Sequence, residues 1–276
     1  MNIVNSTSND WRTPIECLPM IQAFPQFDEL EEFKEKQVVL TQDHKRLFSV
    51  LSNKAVVVKH EEALQTINDG VVKAYGKEPE ITIVVLKEGA SIRAKIEMPW
   101  LDPIEIEQGD LIHQHLFLYN SYSRAVPFKL RVGFFRVLCM NGMLAGDNMA
   151  SLTSKELLDG WSPEGLSEKI HGLIESSRRC ADLWNAWKDV PLKWEDVADS
   201  LERRFPNKLV ASLEPANFPM TMWDLYMDLT NRVTHQTATQ RTQVNLDSVI
   251  STLFYNPKGP LKDVYKAQPQ LLKIAA

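Results

Sequence analysis

From Ile81 to Cys139 the chain repeats a single pattern, runs of alternating apolar and polar residues separated by turns of only a few residues. A period of two sends successive side chains to opposite faces of a strand, and connections this short join antiparallel neighbours rather than parallel ones. ITIVVL and SIRAKIEM flank Lys87, Glu88, Gly89 and Ala90, a hairpin in length and composition. In the second run Ile92, Ala94, Ile96 and Met98 alternate with Arg93, Lys95 and Glu97, which predicts one buried and one wet face. IEIE and LIHQHLFLYNS meet across Gln108, Gly109 and Asp110, and FKLRVGFFRVLCMNG returns after the turn Arg124–Pro127. That order predicts an antiparallel meander.

The remainder reads as helix. HEEALQTINDGVVKAYG places Ala63, Ile67, Val71 and Tyr75 at helical spacing, with Gly76 as a cap. Ser162, Pro163 and Glu164 mark a helix start whose apolar stripe runs through Leu166, Ile170, Leu173, Ile174, Ala181 and Trp184 to about Trp187. LKWEDVADSLERRF is a second helix stopped by Pro206, Thr221 and Asp224 cap MWDLYMDLTNRV, and a last helix falls near NLDSVISTLFY. Upstream, DHKRLFSVL suggests a short helix and Ala55 to Lys59 a strand. Strands first and helices after predict an α+β fold: an antiparallel β-meander sheet covered on one face by helices, with a helical C-terminal half. The expected organisation is an irregular N-terminal arm over 1–40 and a single α+β domain over 41–276, sheet-rich at 55–146 and helical at 150–256.

With 276 residues, 44% of them hydrophobic, the chain can bury a full core. Its three cysteines, Cys17, Cys139 and Cys180, have no CxxC spacing, so neither a disulfide framework nor a zinc knuckle is indicated. Neither a long apolar run nor a signal-peptide pattern is present, and the expected setting is the cytoplasm, without a membrane.

Charge is unevenly spread. The net charge is −5, which disfavours generic polyanion binding, yet Leu111 to Gly146 contains neither Asp nor Glu. Its cations, Arg124, Lys129, Arg131 and Arg136, sit among Tyr119, Tyr122 and Phe135. Strict alternation puts Lys129 and Arg131 on one face and Arg136 on the other, and a bulge at Gly133 would return Arg136 to the basic face. These residues are the candidate nucleic-acid contacts, the cations to phosphates and the aromatics as stacking surfaces. The alternative is a solvent-facing strand whose cations pair with Glu97, Glu105 or Glu107.

Other features are less specific. His113 and His115 share a strand face at a spacing compatible with a metal, but no third ligand is evident, so no metal and no cofactor are expected. Cys139 reads as a structural thiol and Asn141-Gly142 as a turn or strand end. Trp184, Trp187, Trp194, Trp223 and Tyr226 recur at helical spacing as core, and Thr230, Thr234 and His235 are placed to satisfy buried polar groups. There is no P-loop, dinucleotide glycine motif, HExxH or nucleophile elbow, and no catalytic residue is assigned.

Two segments carry a resemblance. FLYNSYSRAVPFKLRVGFFRVLCMNGML resembles the Asn-Ser, Arg-Val and Cys-x-Asn-Gly pattern of the phage and plasmid family catalogued as domain of unknown function 932. TMWDLYMDLTNRVTH resembles its Trp-x-x-Tyr and Thr-His pattern, and VVVKHEEALQTI its N-terminal portion. The matching positions are Asn120, Ser121, Arg136, Cys139, Asn141 and Gly142, with Trp223, Tyr226, Thr234 and His235. Many members continue Asn-Ser with an Asp-Gly-Ser-type turn, where this chain has Tyr122, Ser123 and Arg124. The resemblance implies a mobile-element origin and a cytoplasmic site of action without an established biochemistry. The expected function is non-enzymatic binding of single-stranded nucleic acid by an oligomer, by fold-level analogy with annealing proteins in recombination. The alternative is a protein-binding module directed at a host defence or replication factor.

Overall fold

The structure, a computed structural model, describes residues 1–124, 126–136, 141–144, 151–152, 154–159, 161–211, 213–236, 240–268 and 271. The strands of four residues or more, in chain order, are β1 (Asn2–Ser6), β2 (Ile15–Pro19), β3 (Lys36–Thr41), β4 (Leu47–Ser52), β5 (Glu80–Leu86), β6 (Ser91–Glu97), β7 (Ile104–Glu107), β8 (Asp110–Ser121), β9 (Lys129–Arg136) and β10 (Asn141–Leu144). The helices are α1 (Met20–Ala23), α2 (Glu31–Lys34), α3 (His60–Tyr75), α4 (Ser154–Leu158), α5 (Pro163–Trp187), α6 (Trp194–Arg204), α7 (Asn207–Val210), α8 (Met222–Gln236), α9 (Gln240–Tyr255) and α10 (Pro260–Lys266). The fold is α+β with antiparallel sheets and a helical C-terminal half. Strands β5, β6, β8, β9 and β10 follow one another across the main sheet as the expected meander, with β7 paired to β8 and β1 added beside β5.

The chain divides into two compact units, each built from three stretches of the sequence. The first comprises Met1–Met98, Phe117–Leu130 and Leu152–Ile170, and the second Pro99–Leu116, Arg131–Ser151 and His171–Ala276.

In the first unit β5 and β6 form the predicted hairpin, in register from Glu80↔Glu97 to Leu86↔Ser91. Alternation buries Ile81, Ile83, Ile92, Ala94 and Ile96. Helix α3 buries the stripe Ala63, Leu64, Ile67 and Val71, and Gly76 closes it with a left-handed φ of 69°, donating its N–H to the Val72 carbonyl. The first 40 residues are not an irregular arm: β1 runs parallel to β5, and β2 and β3 form an antiparallel sheet with β4. DHKRLFSVL is not a helix either. Its second half is β4, turned back against Val38 and Val39 of β3 through a loop in which His44 has a φ of 56°. Pairing with a β-branched strand outweighs the weak local helical pattern. Residues 55–59, expected as a strand, carry no ladder, and α3 starts directly after them.

Helices α5, α6 and α8 occupy their predicted spans, and in the second unit Thr221 and Asp224 cap α8 reciprocally: the Asp224 N–H donates to Thr221 Oγ1 at 3.0 Å and the Thr221 N–H to the Asp224 carboxylate at 3.3 Å. The core is aromatic. Trp184 meets Phe134 edge to face at 4.7 Å, and Trp187 packs on Tyr226, Phe254 and Tyr255. Trp184 Nε1 donates to the Tyr255 hydroxyl at 2.9 Å and Trp187 Nε1 to the Tyr265 hydroxyl at 3.0 Å, which satisfies the polar tips of otherwise apolar rings. Burial pushes all three phenols, Tyr226, Tyr255 and Tyr265, above the ordinary tyrosine range.

Candidate functional site

Strand β8 ends in Asn120 and Ser121, and these residues organise the first unit's main polar cluster. Asn120 is buried, and its amide donates to the Val58 carbonyl at 2.8 Å and to His60 Nδ1 at 3.0 Å, while its Oδ1 accepts the Ser121 N–H at 2.9 Å. With Nδ1 accepting, His60 carries its proton on Nε2 and donates it to the Gly89 carbonyl at 3.0 Å. The imidazole is fully buried, and that burial pushes its pKa down to about 4 against the opposing pull of the Gly89 hydrogen bond. Tyr122 stacks on the ring at 3.9 Å, and its hydroxyl accepts the His60 N–H at 2.8 Å. The phenol is pushed up to about 12 by burial. Gly89 has a φ of 88°, and a Cβ there would lie 2.7 Å from the Asp10 carbonyl oxygen, so the residue receiving the His60 proton must be glycine.

This cluster fixes the chain just before a groove. Tyr122 packs with Ile15, Val39 and Leu51, its N–H donates to the Ala90 carbonyl, and its own carbonyl accepts Ser49 Oγ at 2.5 Å. Two residues on, Arg124 takes a left-handed φ of 53°, a conformation uncommon for a side-chain-bearing residue. A cavity of about 510 Å³ opens there, lined by residues 54–58 and by described residues of 120–128, with Ser154 and Leu158 of α4. That volume lies within the usual range of small-molecule sites. Its walls are apolar, formed by Val56, Val57, Val126 and Phe128 among others, and its cations are the exposed Lys54 and Arg124. Among the described lining residues there is no carboxylate. Phe128 is braced edge-on by Trp161 at 5.4 Å, and Trp161 donates to the Glu62 carboxylate.

The predicted basic residues differ in exposure: Arg124 is exposed and Lys129 is half-buried. Arg131 is only 2% exposed, a structural cation rather than a phosphate contact, because the strand is buried on both faces from Leu130 to Phe134. The pairing of β9 with β10 runs unbroken from Asn141↔Arg136 to Leu144↔Gly133. Tyr119 and Tyr122 are buried, 5% and 3% exposed, and cannot serve as stacking surfaces; Phe135 is half-buried and tilted against His115. Of the acids considered as partners of these cations, Glu97 on β6 pairs with Lys95 at 2.8 Å and Glu105 on β7 accepts the Gly109 N–H. His115 is buried on β8 beside half-buried His113, and among the described residues no group of three or more His, Cys, Asp or Glu side chains is placed to hold a metal.

The remaining motif positions gather in the second unit. Asn141 and Gly142 open β10 rather than forming a turn, and α8, which packs against β10, carries Trp223, Tyr226, Thr234 and His235. Trp223 and Tyr226 are core, with rings 5.9 Å apart, whereas His235 is exposed. Cys139 lies outside the described residues. Sequence reasoning passed over His60, Gly89 and Lys54. A histidine at a helix start next to the apolar run VVV was the available signal for the first; nothing local marks Lys54.

Among the described residues no helix is long and apolar enough to cross a membrane. Neither a curated protein nor a solved structure matches the chain. A family model does: the one described as a domain of unknown function, DUF932, matches residues 47–252, a span that contains both the Asn120–Ser121 cluster and the β10–α8 motif. The chain therefore belongs to the DUF932 family.

Proposed function

We propose that the protein is a non-enzymatic single-stranded nucleic-acid-binding protein of a phage or plasmid-type element, acting in the cytoplasm as an oligomer in a recombination or annealing role. The observation that carries this reading is the groove at the end of β8: two exposed cations, Lys54 and Arg124, over apolar and aromatic walls, with no carboxylate among its described lining residues. Single strands are held by that combination, cations along the backbone and sequence-tolerant contact with base faces. Lys129, five residues beyond Arg124 and half-buried, extends the basic side of the same unit. On a body of net charge −5 one such site binds weakly, and repetition along a strand by several copies supplies the avidity. Size-exclusion chromatography with mass determination, with and without a fluorescent single-stranded oligonucleotide, tests it. A salt-sensitive shift into a larger complex is expected, and no shift at low salt contradicts the reading.

A second reading, a module that binds a host defence or replication protein, is favoured by exposed apolar side chains on β4, where Leu47 and Val50 are 50% and 43% exposed on an edge strand of its sheet. Edge strands of this kind accept an added strand from a partner. Replacing Val50 by Lys would abolish capture of such a partner and leave oligonucleotide binding intact.

A further inference from the structure

We infer that the groove receives one unstacked nucleotide of the bound strand, its base against Val56, Val57 and Phe128 and its phosphate at Lys54 and Arg124, irrespective of which base it is. This rests on the single-strand reading above and adds a stoichiometry and a specificity to it. Depth comes first: the space of about 510 Å³ is larger than a surface contact with a backbone requires, and its apolar walls have no role in binding phosphate. Val56, 66% exposed, is accessible on this wall to the face of an apolar ligand group.

Indifference to base identity follows from the floor. Base reading requires donors and acceptors left open for the base edge. Here both N–H groups of Asn120 are already given to Val58 and His60. Ser121 Oγ is bonded to Ser91 at 2.8 Å and to Ser123 at 3.1 Å, and Ser154 Oγ donates to the Phe128 carbonyl at 2.7 Å. The amide and hydroxyl donors of these lining side chains are directed at one another and at backbone carbonyls, so what the slot offers a base is its apolar wall. Stacking of this kind is sequence-tolerant because every base has a π-face.

The test compares, by fluorescence anisotropy with the full chain, labelled oligothymidylate, oligodeoxyadenylate and an abasic oligonucleotide of equal length. The two homopolymers should bind within about threefold of one another and the abasic strand about tenfold more weakly. Val56→Asp, at a position too exposed to disturb folding, should remove the difference between basic and abasic strands. Equal binding of the abasic strand overturns the base slot and leaves the single-strand reading standing. A preference of more than about tenfold for one homopolymer overturns the indifference to sequence, and an unchanged Val56→Asp variant places the base elsewhere. If no oligonucleotide binds, both the slot and the function it rests on fall.

Discussion

His60 is a buried histidine kept neutral by its surroundings, and this makes it a lever on stability. Its pKa falls from 6.5 to about 4 on folding, so between those values the unfolded chain binds more protons than the folded one. Stability is then complete above about pH 6.5 and declines as the pH falls towards 4, by roughly 3 kcal/mol over the whole window. Urea unfolding at pH 7 and pH 5 should show about 2 kcal/mol of this loss in the wild type, and His60→Gln should lack that component. Asn120→Ala withdraws two donors at once from Val58 and His60 and leaves both acceptors buried. A loss of about 2 to 3 kcal/mol in the same assay is expected, against a few tenths if Asn120 were an ordinary strand residue.

At the scale of elements, β9 separates residues whose charges look alike in sequence. Lys129 is partly accessible and Arg131 is enclosed, so Arg131→Ala should lower the unfolding free energy by roughly 2 kcal/mol or more through lost packing and orphaned neighbours. Lys129→Ala should cost less stability than Arg131→Ala and weaken oligonucleotide binding; the opposite assignment would show the reverse. Alternation alone could not separate the two cations, because it presumes one wet face and this strand is buried on both. The elements that were legible carry local signals: the hairpin across Lys87–Ala90, Gly76 at the end of α3, Ser162-Pro163 before α5 and the Thr221/Asp224 cap of α8. Those that were not depend on distant partners. Strand β1 is defined by β5, and β4 by β3, while the site's central contact, Asn120 to His60, spans 60 residues of chain. Asn120 and Ser121 were reached through family resemblance, not through any local pattern.

For the whole molecule the tension is between an acidic body and a local cationic groove. A net charge of −5 keeps long-range attraction for polyanions low, so the proposed single-strand binding requires short-range contacts at the groove and repetition by several copies. Such a protein should bind single strands in preference to duplex, because a paired base cannot enter an apolar slot. The most direct test is the salt dependence of single-strand affinity in the wild type and in a Lys54→Ala/Arg124→Asn variant, asparagine being chosen because it tolerates the left-handed backbone at 124. The variant should bind more weakly at low salt, and its slope of log affinity against log salt should be shallower by about 1.4, the contribution of two phosphate contacts. An unchanged affinity and slope would show that the groove is not where the strand is held.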